Sequence, residues 1–253
     1  MKKPIHNLVF LHGIAASRRF VAPLLEEFKN NPLYETFAFD LLGFGKERKR
    51  DSNFTLAEHL DFITESITRR FGSEQVTLIG HSMGGILALA WAAKYPEHVQ
   101  KVILLNVPLG STEKEVKDGI KKVTRGLTPV LLTHPRLSKA SGIFFLKIGL
   151  FRLLSYLPLG NYAQILADYT RNSWKSLYQS FIHVILKTPG VPLVEQVSSR
   201  IPILSIIASK DSKICQYPLQ GENITLIELS GTHFLPLEDP KGVAKEIKKF
   251  LER

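Results

Sequence analysis

The strongest constraint on the fold is a regular alternation between short apolar segments and longer helical segments. A strand that is buried on both faces is apolar along its whole length, whereas a strand with one solvated face alternates apolar and polar residues. Six segments of about five residues have the first character and are predicted as strands: Asn7–Leu11, Thr36–Phe39, Gln75–Ile79, Lys101–Leu105, Ile203–Ile207 and Thr225–Leu229.

Helical patterns separate these segments. Helices are predicted over Phe20–Lys29, Leu56–Phe71, Met83–Lys94 and Pro240–Leu251. In the last of them the apolar residues recur every three or four positions, which places them on one face. Strands that alternate with helices form a parallel sheet with helices on both faces. The sequence therefore predicts an α/β fold with a doubly wound, mainly parallel sheet of about six strands.

The alternation stops between Val107 and Ser199, where no segment resembles a strand and six prolines interrupt several helical patterns. The simplest interpretation is a helical insertion, residues 107–199, between two strands of one sheet. The core domain would then consist of residues 1–106 and 200–253. A chain of 253 residues is of ordinary length for one α/β domain.

Amino-acid composition indicates the class of protein and its cellular compartment. The apolar fraction of 44% and the charged fraction of 22% are typical of a soluble globular protein. The single cysteine, Cys215, cannot form an internal disulfide, which favours a reducing, cytoplasmic location. The apolar segment near the N-terminus is interrupted by His6 and Asn7, so it is predicted as a strand and not a leader. Gly142–Gly160 contains two basic residues and a proline, so no transmembrane segment is predicted there.

The charge is strongly positive, with a formal net charge of +10. Nine basic and three acidic residues fall between Ser111 and Arg152, so this part of the insertion alone carries +6. Such a balance is compatible with nucleic acid, an anionic membrane surface or an anionic substrate, and also with solubility alone. The sequence contains no nucleic-acid-binding motif, so no nucleic-acid partner is predicted.

The segment Gly80-His81-Ser82-Met83-Gly84 matches G-x-S-x-G and directly joins a predicted strand to a predicted helix. This strand–turn–helix context is what the motif requires, because the turn places the serine in a strained conformation and leaves no room for side chains at the flanking positions. The helix N-terminus then directs its N–H groups and partial positive charge towards the serine. We predict Ser82 as a nucleophile; a purely structural glycine-rich turn is the alternative.

A serine hydroxyl needs a base to accept its proton, and the base needs an orienting carboxylate. Of the eight histidines, only His233 follows the last predicted strand. A loop at that edge of a parallel sheet is where such folds bind ligands. Asp211 follows the preceding strand, which gives the chain order Ser, Asp, His. We predict His233 as the base and Asp211 as its partner; a capping histidine and a turn aspartate are the alternatives.

Acyl transfer also requires donors for a developing oxyanion. The backbone N–H of Met83, directly after the serine, is one candidate. Gly13 follows the first strand and permits close approach of the backbone, so the N–H of Ile14 is the second. His12 is expected mainly to hydrogen-bond this loop. We assign His12, Gly13 and His81 to the surroundings of the bound substrate.

Taken together, these residues resemble the α/β-hydrolase superfamily, and Gly80 to Gly85 resembles carboxylesterases, monoacylglycerol lipases and some carbon–carbon bond hydrolases. The resemblance covers most of the chain outside the insertion: His12-Gly13, Asp40 to Gly45, Gly80 to Gly85, Asp211, His233 and Glu238 to Pro240. It implies that residues 107–199 form the family's helical cap over the acyl pocket. Family members usually carry an antiparallel strand pair before the His-Gly strand, so the resemblance implies a sheet shortened to six parallel strands.

The resemblance implies a serine esterase that needs no cofactor and no metal. Two alternatives use the same residues: a carbon–carbon bond hydrolase, and a receptor or scaffold with a vestigial triad. The expected partner is a small-molecule ester, acyl-chain or anionic, and the apolar, basic cap is also compatible with peripheral membrane contact. The apolar cap residues are Ile143 to Leu146, Ile148, Leu150, Phe151, Leu153, Leu154 and Leu157.

Overall fold

The computed structural model describes residues 6–123, 168, 171–211 and 214–253. The described residues contain one six-stranded sheet in which every pair of neighbours is parallel. The strands are β1 His6–Leu11, β2 Tyr34–Ala38, β3 Val76–His81, β4 Val99–Leu105, β5 Ile203–Ala208 and β6 Ile224–Leu229. All six predicted strands are confirmed, with bounds that differ by one to two residues.

The strand order is β2-β1-β3-β4-β5-β6, so the chain first moves to one side of β1 and then returns to the other. This reversal creates a topological switch point between β1 and β3, and parallel sheets bind ligands beyond the carboxyl ends of the strands at such a point. Leu11 pairs with Gly80 there, and β3 ends one residue later at His81. The loop after β1 and the turn after β3 therefore begin side by side.

Helices connect the strands. Those of the described residues are α1 Ala22–Glu26, α2 Leu56–Phe71, α3 Met83–Lys94, α4 Glu113–Val123, α5 Trp174–Ser180, α6 Gly190–Ser198, α7 Leu235–Glu238 and α8 Pro240–Leu251. Arg18–Val21, Gly45–Lys49 and Pro96–His98 form 3-10 turns, and Phe181–Leu186 is wound as a π-helix. The predicted bounds of α2, α3 and α8 agree with the structure.

The helix predicted over Phe20–Lys29 differs from the structure. Helical winding begins earlier, at Arg18, because the Ser17 hydroxyl accepts the N–H of Arg19 and caps a 3-10 turn there. The α-helical part extends only over Ala22–Glu26, and the chain then continues in turns through residue 30. Residues 27–29 donate to carbonyls three positions back, which ends the α-helix.

The sheet separates two apolar clusters, and successive residues of β1 contribute to opposite ones. Leu8 and Phe10 pack with α1 and α8, whereas Val9 and Leu11 pack with α2, α3 and α6. All four side chains have no exposed surface, which is why the strand is apolar without alternation. Helices on both faces confirm the predicted doubly wound α/β architecture.

Part of the predicted insertion belongs to the layer beside the sheet. Helix α6 packs against α3, and its Val191, Val194 and Val197 are buried in the same cluster as Val9 and Leu11. The segment Gly142–Gly160, with the apolar cap residues between 143 and 157, lies outside the described residues. So do five of the nine basic residues between Ser111 and Arg152. Within the described part of the chain, no helix has both the length and the apolar character needed to cross a membrane.

Candidate active site

Ser82 lies at the sharp turn between β3 and α3 and has a strained backbone, with φ of 52° and ψ of −121°. A non-glycine residue in this region persists only where its surroundings enforce it. The N–H of Ser82 donates to the carbonyl of Leu105 at the end of β4, at 3.0 Å, and its carbonyl accepts from Gly85 at 2.9 Å. The strain is therefore maintained by hydrogen bonds on both sides of the serine.

The glycines around Ser82 are required by close backbone contacts. A Cβ atom at Gly80 would lie 2.4 Å from the carbonyl oxygen of Gly84, and one at Gly84 would lie 2.3 Å from that of Leu11. These are backbone atoms that cannot rotate away. Helix α3 can thus approach β1 and β3 only with glycine at both positions, which brings its N-terminus to the carboxyl edge of the sheet.

The loop after β1 lies against the serine turn. A Cβ atom at Gly13 would lie 3.2 Å from Cβ of Ser82 and 2.9 Å from Nδ1 of His81. Ile14 follows directly and is partly buried. Met83 is the first residue of α3, and the first four N–H groups of a helix have no acceptor within it. The two predicted oxyanion donors therefore belong to backbone segments that flank Ser82.

His12 stabilises the loop after β1 through two hydrogen bonds. Its Nε2 accepts the N–H of Leu41 at 3.0 Å, so its proton is on Nδ1, which donates to the carbonyl of Gly13 at 2.8 Å. Complete burial lowers the pKa of His12, so the imidazole stays neutral and keeps this tautomer. His12 thus connects the loops after β1 and β2.

Asp211 and His233 meet at the same edge of the sheet. The neighbouring strands β5 and β6 end in register, with Ala208 opposite Leu229, so the residues that follow them emerge together. Oδ2 of Asp211 lies 2.8 Å from Nδ1 of His233. The Asp211 side chain is 5% exposed and that of His233 is 35% exposed. The carboxylate therefore holds Nδ1 from the protein side, while the imidazole remains partly open to a ligand.

His81 connects the serine turn to the histidine loop. Its Nε2 donates to the backbone carbonyl of His233 at 2.8 Å, and its ring stacks on Phe20 with centroids 4.5 Å apart. Burial, followed by the positive charge of a protonated His233, lowers the pKa of His81 to about 3. Nδ1 of His81 has no hydrogen-bond partner among the described residues. His81 is thus a neutral donor that supports the main chain of His233.

Asn106, which sequence reasoning missed, joins the loops that carry Asp211 and His233. It follows β4, is completely buried and has a φ of 48°, a value that asparagine tolerates better than most residues. Its Oδ1 accepts the N–H of Ala208 at 2.8 Å, and its Nδ2 donates to the carbonyl of Thr232 at 3.0 Å. Its position directly after a strand, like that of Asp211, is the signal that could have identified it.

The insertion also reaches the loop after β1. The Ser17 hydroxyl donates to Asp168 at 2.5 Å, and the Asn172 side chain donates to the carbonyl of Ala15 at 2.8 Å. All four residues are buried. Residues of the predicted cap therefore hold the loop that contains Gly13 and Ile14, a contact that no sequence motif indicates.

Cys215 is a further neighbour of the site that was not predicted from the sequence. Its Sγ lies 3.9 Å from Nδ1 of His233, and the cysteine is 3% exposed. Asp211, Cys215 and His233 each offer one metal-ligating atom, and these atoms lie within 4.8 Å of one another.

Comparison with known proteins identifies the family of the chain. Residues 7–212 match the family model of the alpha/beta hydrolase fold. A probable lysophospholipase of Arabidopsis thaliana, BODYGUARD 1, is 39% identical over 145 residues, which are 55% of this chain and 30% of that protein. The human 1-acylglycerol-3-phosphate O-acyltransferase ABHD5 is 35% identical over 42% of this chain and 31% of its own length. The matched region thus spans less than a third of each relative.

Among solved structures, a carboxylesterase of Nitrososphaera gargenis superimposes with a TM-score of 0.67 and 19% identity, over 98% of this chain and 90% of that one. At this identity the likeness concerns the fold. The family match covers far more than half of the sequence. The chain belongs to the alpha/beta hydrolase fold family.

Proposed function

We propose that this protein is a serine hydrolase that cleaves carboxylic esters through Ser82, His233 and Asp211. The observation that carries the proposal is the 2.8 Å contact between Asp211 and His233 at the sheet edge where Ser82 stands in a strained turn. Family membership and the esterase and lysophospholipase relatives support hydrolysis as the general activity.

In the first step, His233 accepts the hydroxyl proton of Ser82 while Oγ attacks the ester carbonyl. Asp211 accepts from Nδ1 of His233, so the lone pair of the imidazole is on Nε2, and this is the nitrogen that accepts the serine proton in the proposed step. The carboxylate also stabilises the imidazolium that forms. His81 and Asn106 act as positioning residues. His81 donates to the backbone carbonyl of His233, and Asn106 bonds the backbone of the two loops that carry Asp211 and His233.

In the same step the carbonyl oxygen gains negative charge. The N–H groups of Met83 and Ile14 stabilise it, aided by the partial positive charge at the N-terminus of α3. His233 then gives its proton to the leaving alcohol, and an ester forms between the acyl group and Ser82. Water, deprotonated by His233, releases the acid and restores Ser82.

For the substrate we propose an acyl ester with an anionic head, of the lysophospholipid type. Names of the plant relatives support this class, and so does the chain's net charge of +10. Near the loop after β1, the exposed Arg18 and Lys46 both donate backbone N–H groups to the carboxylate of Asp40. Two basic segments, residues 18–19 and 46–50, therefore adjoin each other beside that loop.

The cytoplasmic location stays a prediction from the single cysteine.

The test treats the full chain with a fluorophosphonate probe, p-nitrophenyl esters of different chain lengths, and lysophosphatidylcholine. We expect labelling and turnover in the wild type and the loss of both in Ser82→Ala. Ser73→Ala, which changes an exposed serine between α2 and β3, is the matched control and should retain both.

Three other outcomes would contradict the proposal. Labelling without ester turnover, combined with cleavage of a β-diketone, would identify the carbon–carbon bond hydrolase. Labelling without any turnover would favour a receptor with a vestigial triad. Transfer of the acyl group to a lysophosphatidic acid acceptor, in preference to water, would indicate an acyltransferase like the one named for the human relative.

A further inference from the structure

The contact between Cys215 and His233 has a chemical consequence beyond ester hydrolysis. Nδ1 of His233 lies 2.8 Å from Oδ2 of Asp211 and 3.9 Å from Sγ of Cys215, and all three ligating atoms fall within 4.8 Å of one another. A carboxylate, a thiol and an imidazole are three side-chain groups that bind zinc in proteins. Sequence spacing gives no sign of this group, because His233 is 18 residues from Cys215.

The distances are close to those of a zinc site. Tetrahedral Zn²⁺ with bonds of about 2.3 Å to sulfur and about 2.0 Å to nitrogen holds those two ligands about 3.5 Å apart. The observed 3.9 Å would shorten by a few tenths of an ångström. The carboxylate and imidazole, now 2.8 Å apart, would separate by about half an ångström to about 3.4 Å. The third pair, the carboxylate and the thiol, lies within 4.8 Å and would approach to about 3.5 Å.

The backbone that carries Cys215 is held in place. The N–H of Leu109 donates to the carbonyl of Ile214 at 3.0 Å. The Gln216 side chain donates to the carbonyls of Ala208 and Ser209, both at 3.0 Å, and so attaches the cysteine turn to the end of β5. The thiol is therefore preorganised beside the imidazole. The His233 side chain is 35% exposed, and we expect a water molecule to complete the tetrahedral coordination as the fourth ligand.

We propose that Asp211, Cys215 and His233 bind one Zn²⁺ ion, and that this ion reversibly inhibits the enzyme. The thiol releases its proton to solvent as the zinc–sulfur bond forms. Zinc takes the lone pair of Nδ1, so the proton of the neutral imidazole resides on Nε2. Nε2 is then a donor and cannot accept the proton of Ser82. Binding is independent of the reaction, whereas the inhibition rests on the proposed function.

The first experiment tests the site without using activity. Co²⁺, a spectroscopic substitute for zinc, is added to the wild-type protein and to Ser82→Ala. We expect a near-ultraviolet cobalt–thiolate absorption band that saturates at one equivalent in both proteins and disappears when one equivalent of Zn²⁺ is added. Cys215→Ser should show no such band and should bind zinc at least about tenfold more weakly, since even the partners of metal ligands alter affinity by 10–100-fold.

The second experiment measures zinc inhibition of ester turnover in a metal-buffered solution, relative to the zinc-free activity of each variant. Cys215→Ser and Cys215→Ala should need at least about tenfold more free zinc for half inhibition. The matched control is His98→Ala, which removes a partly exposed imidazole 3.6 Å from the Glu97 carboxylate but has no cysteine nearby. This control should retain the zinc sensitivity and the basal activity of the wild type.

The two experiments separate this proposal from the proposed function. A cobalt–thiolate band in a protein without ester turnover supports the metal site and contradicts the esterase. Absence of the band in the folded wild-type protein overturns the metal site, whatever the activity. Equal zinc sensitivity of the wild type and both Cys215 variants overturns it as well, because zinc would then act elsewhere.

Discussion

The imidazole of His81 donates a hydrogen bond of 2.8 Å to the backbone carbonyl of His233, 152 positions further along the chain. The residue before the proposed nucleophile thus supports the main chain of the proposed base. The bond is partly buried, and the buried ring of His81 stacks on the ring of Phe20. Motion of one loop relative to the other would break it.

His81→Phe should lower kcat about tenfold to a hundredfold with a smaller effect on KM. Phenylalanine retains the aromatic contact with Phe20 but has no N–H to hold the His233 carbonyl, and a displacement of about 1 Å at a reacting group costs roughly a hundredfold in rate. Steady-state kinetics on a p-nitrophenyl ester measures the effect. A kcat within twofold of the wild type, in a folded variant, would show that the bond does not position His233.

Asn106→Ala should lower both kcat and stability. The substitution leaves the buried N–H of Ala208 and the partly buried carbonyl of Thr232 without their partner, and a buried unpaired group costs about 1–3 kcal/mol of unfolding free energy. The loops of Asp211 and His233 also lose their common support, so we expect kcat to fall at least about tenfold. Urea unfolding and ester kinetics measure the two effects.

Asn223→Ala is the matched control for Asn106. Asn223 also donates its side-chain amide to a backbone carbonyl, that of Ser198 at 2.8 Å, but it is exposed and lies before β6, away from the carboxyl edge of the sheet. It should retain the wild-type kcat. Equal losses of activity in the two variants would indicate a general effect on folding and would contradict the positioning role of Asn106.

Stability should fall as the pH decreases below about 6.5. Burial lowers the pKa of His12, of His59 to about 4 and of His81 to about 3. The unfolded chain binds protons on these residues near pH 6.5, whereas the folded chain does not, so acid favours unfolding. Between pH 6.5 and 5, one such imidazole reduces the unfolding free energy by up to about 2 kcal/mol. The unfolding free energy is thus highest above pH 6.5 and decreases as the pH falls towards the pKa that each histidine has in the folded state.

Urea unfolding at pH 7 and pH 5 measures this dependence. His59 accepts or donates a hydrogen bond with Ser180 at 3.0 Å, so the double variant His59→Leu/Ser180→Ala removes the imidazole without leaving that hydroxyl unpaired. This variant should lose about 2 kcal/mol less between the two pH values than the wild type. An equal loss in both proteins would assign the acid sensitivity to other groups.

Elements with local signals were predictable from the sequence. The start of α2 is set by a capping box in which Thr55 and Glu58 bond each other's backbone N–H groups, and α8 begins where Asp239 caps a helix with proline at its first position. The serine turn is equally local, since its glycines and serine are neighbours in sequence. The 3-10 turn before α1 was not predicted, because the predicted helix was placed from its apolar residues and not from the capping residue Ser17.

The sequence by itself determined the six parallel strands, the turn at Ser82, and the positions of Asp211 and His233 directly after the last two strands. Each of these features depends on residues within a few positions of one another. Only the tertiary structure decided which side chains meet at the carboxyl edge: Asn106 between two loops, Asp168 on Ser17, and Cys215 beside His233. These contacts join residues that are 18 to 151 positions apart. Their geometry depends on how strands and loops pack together, and no periodicity along the chain records it.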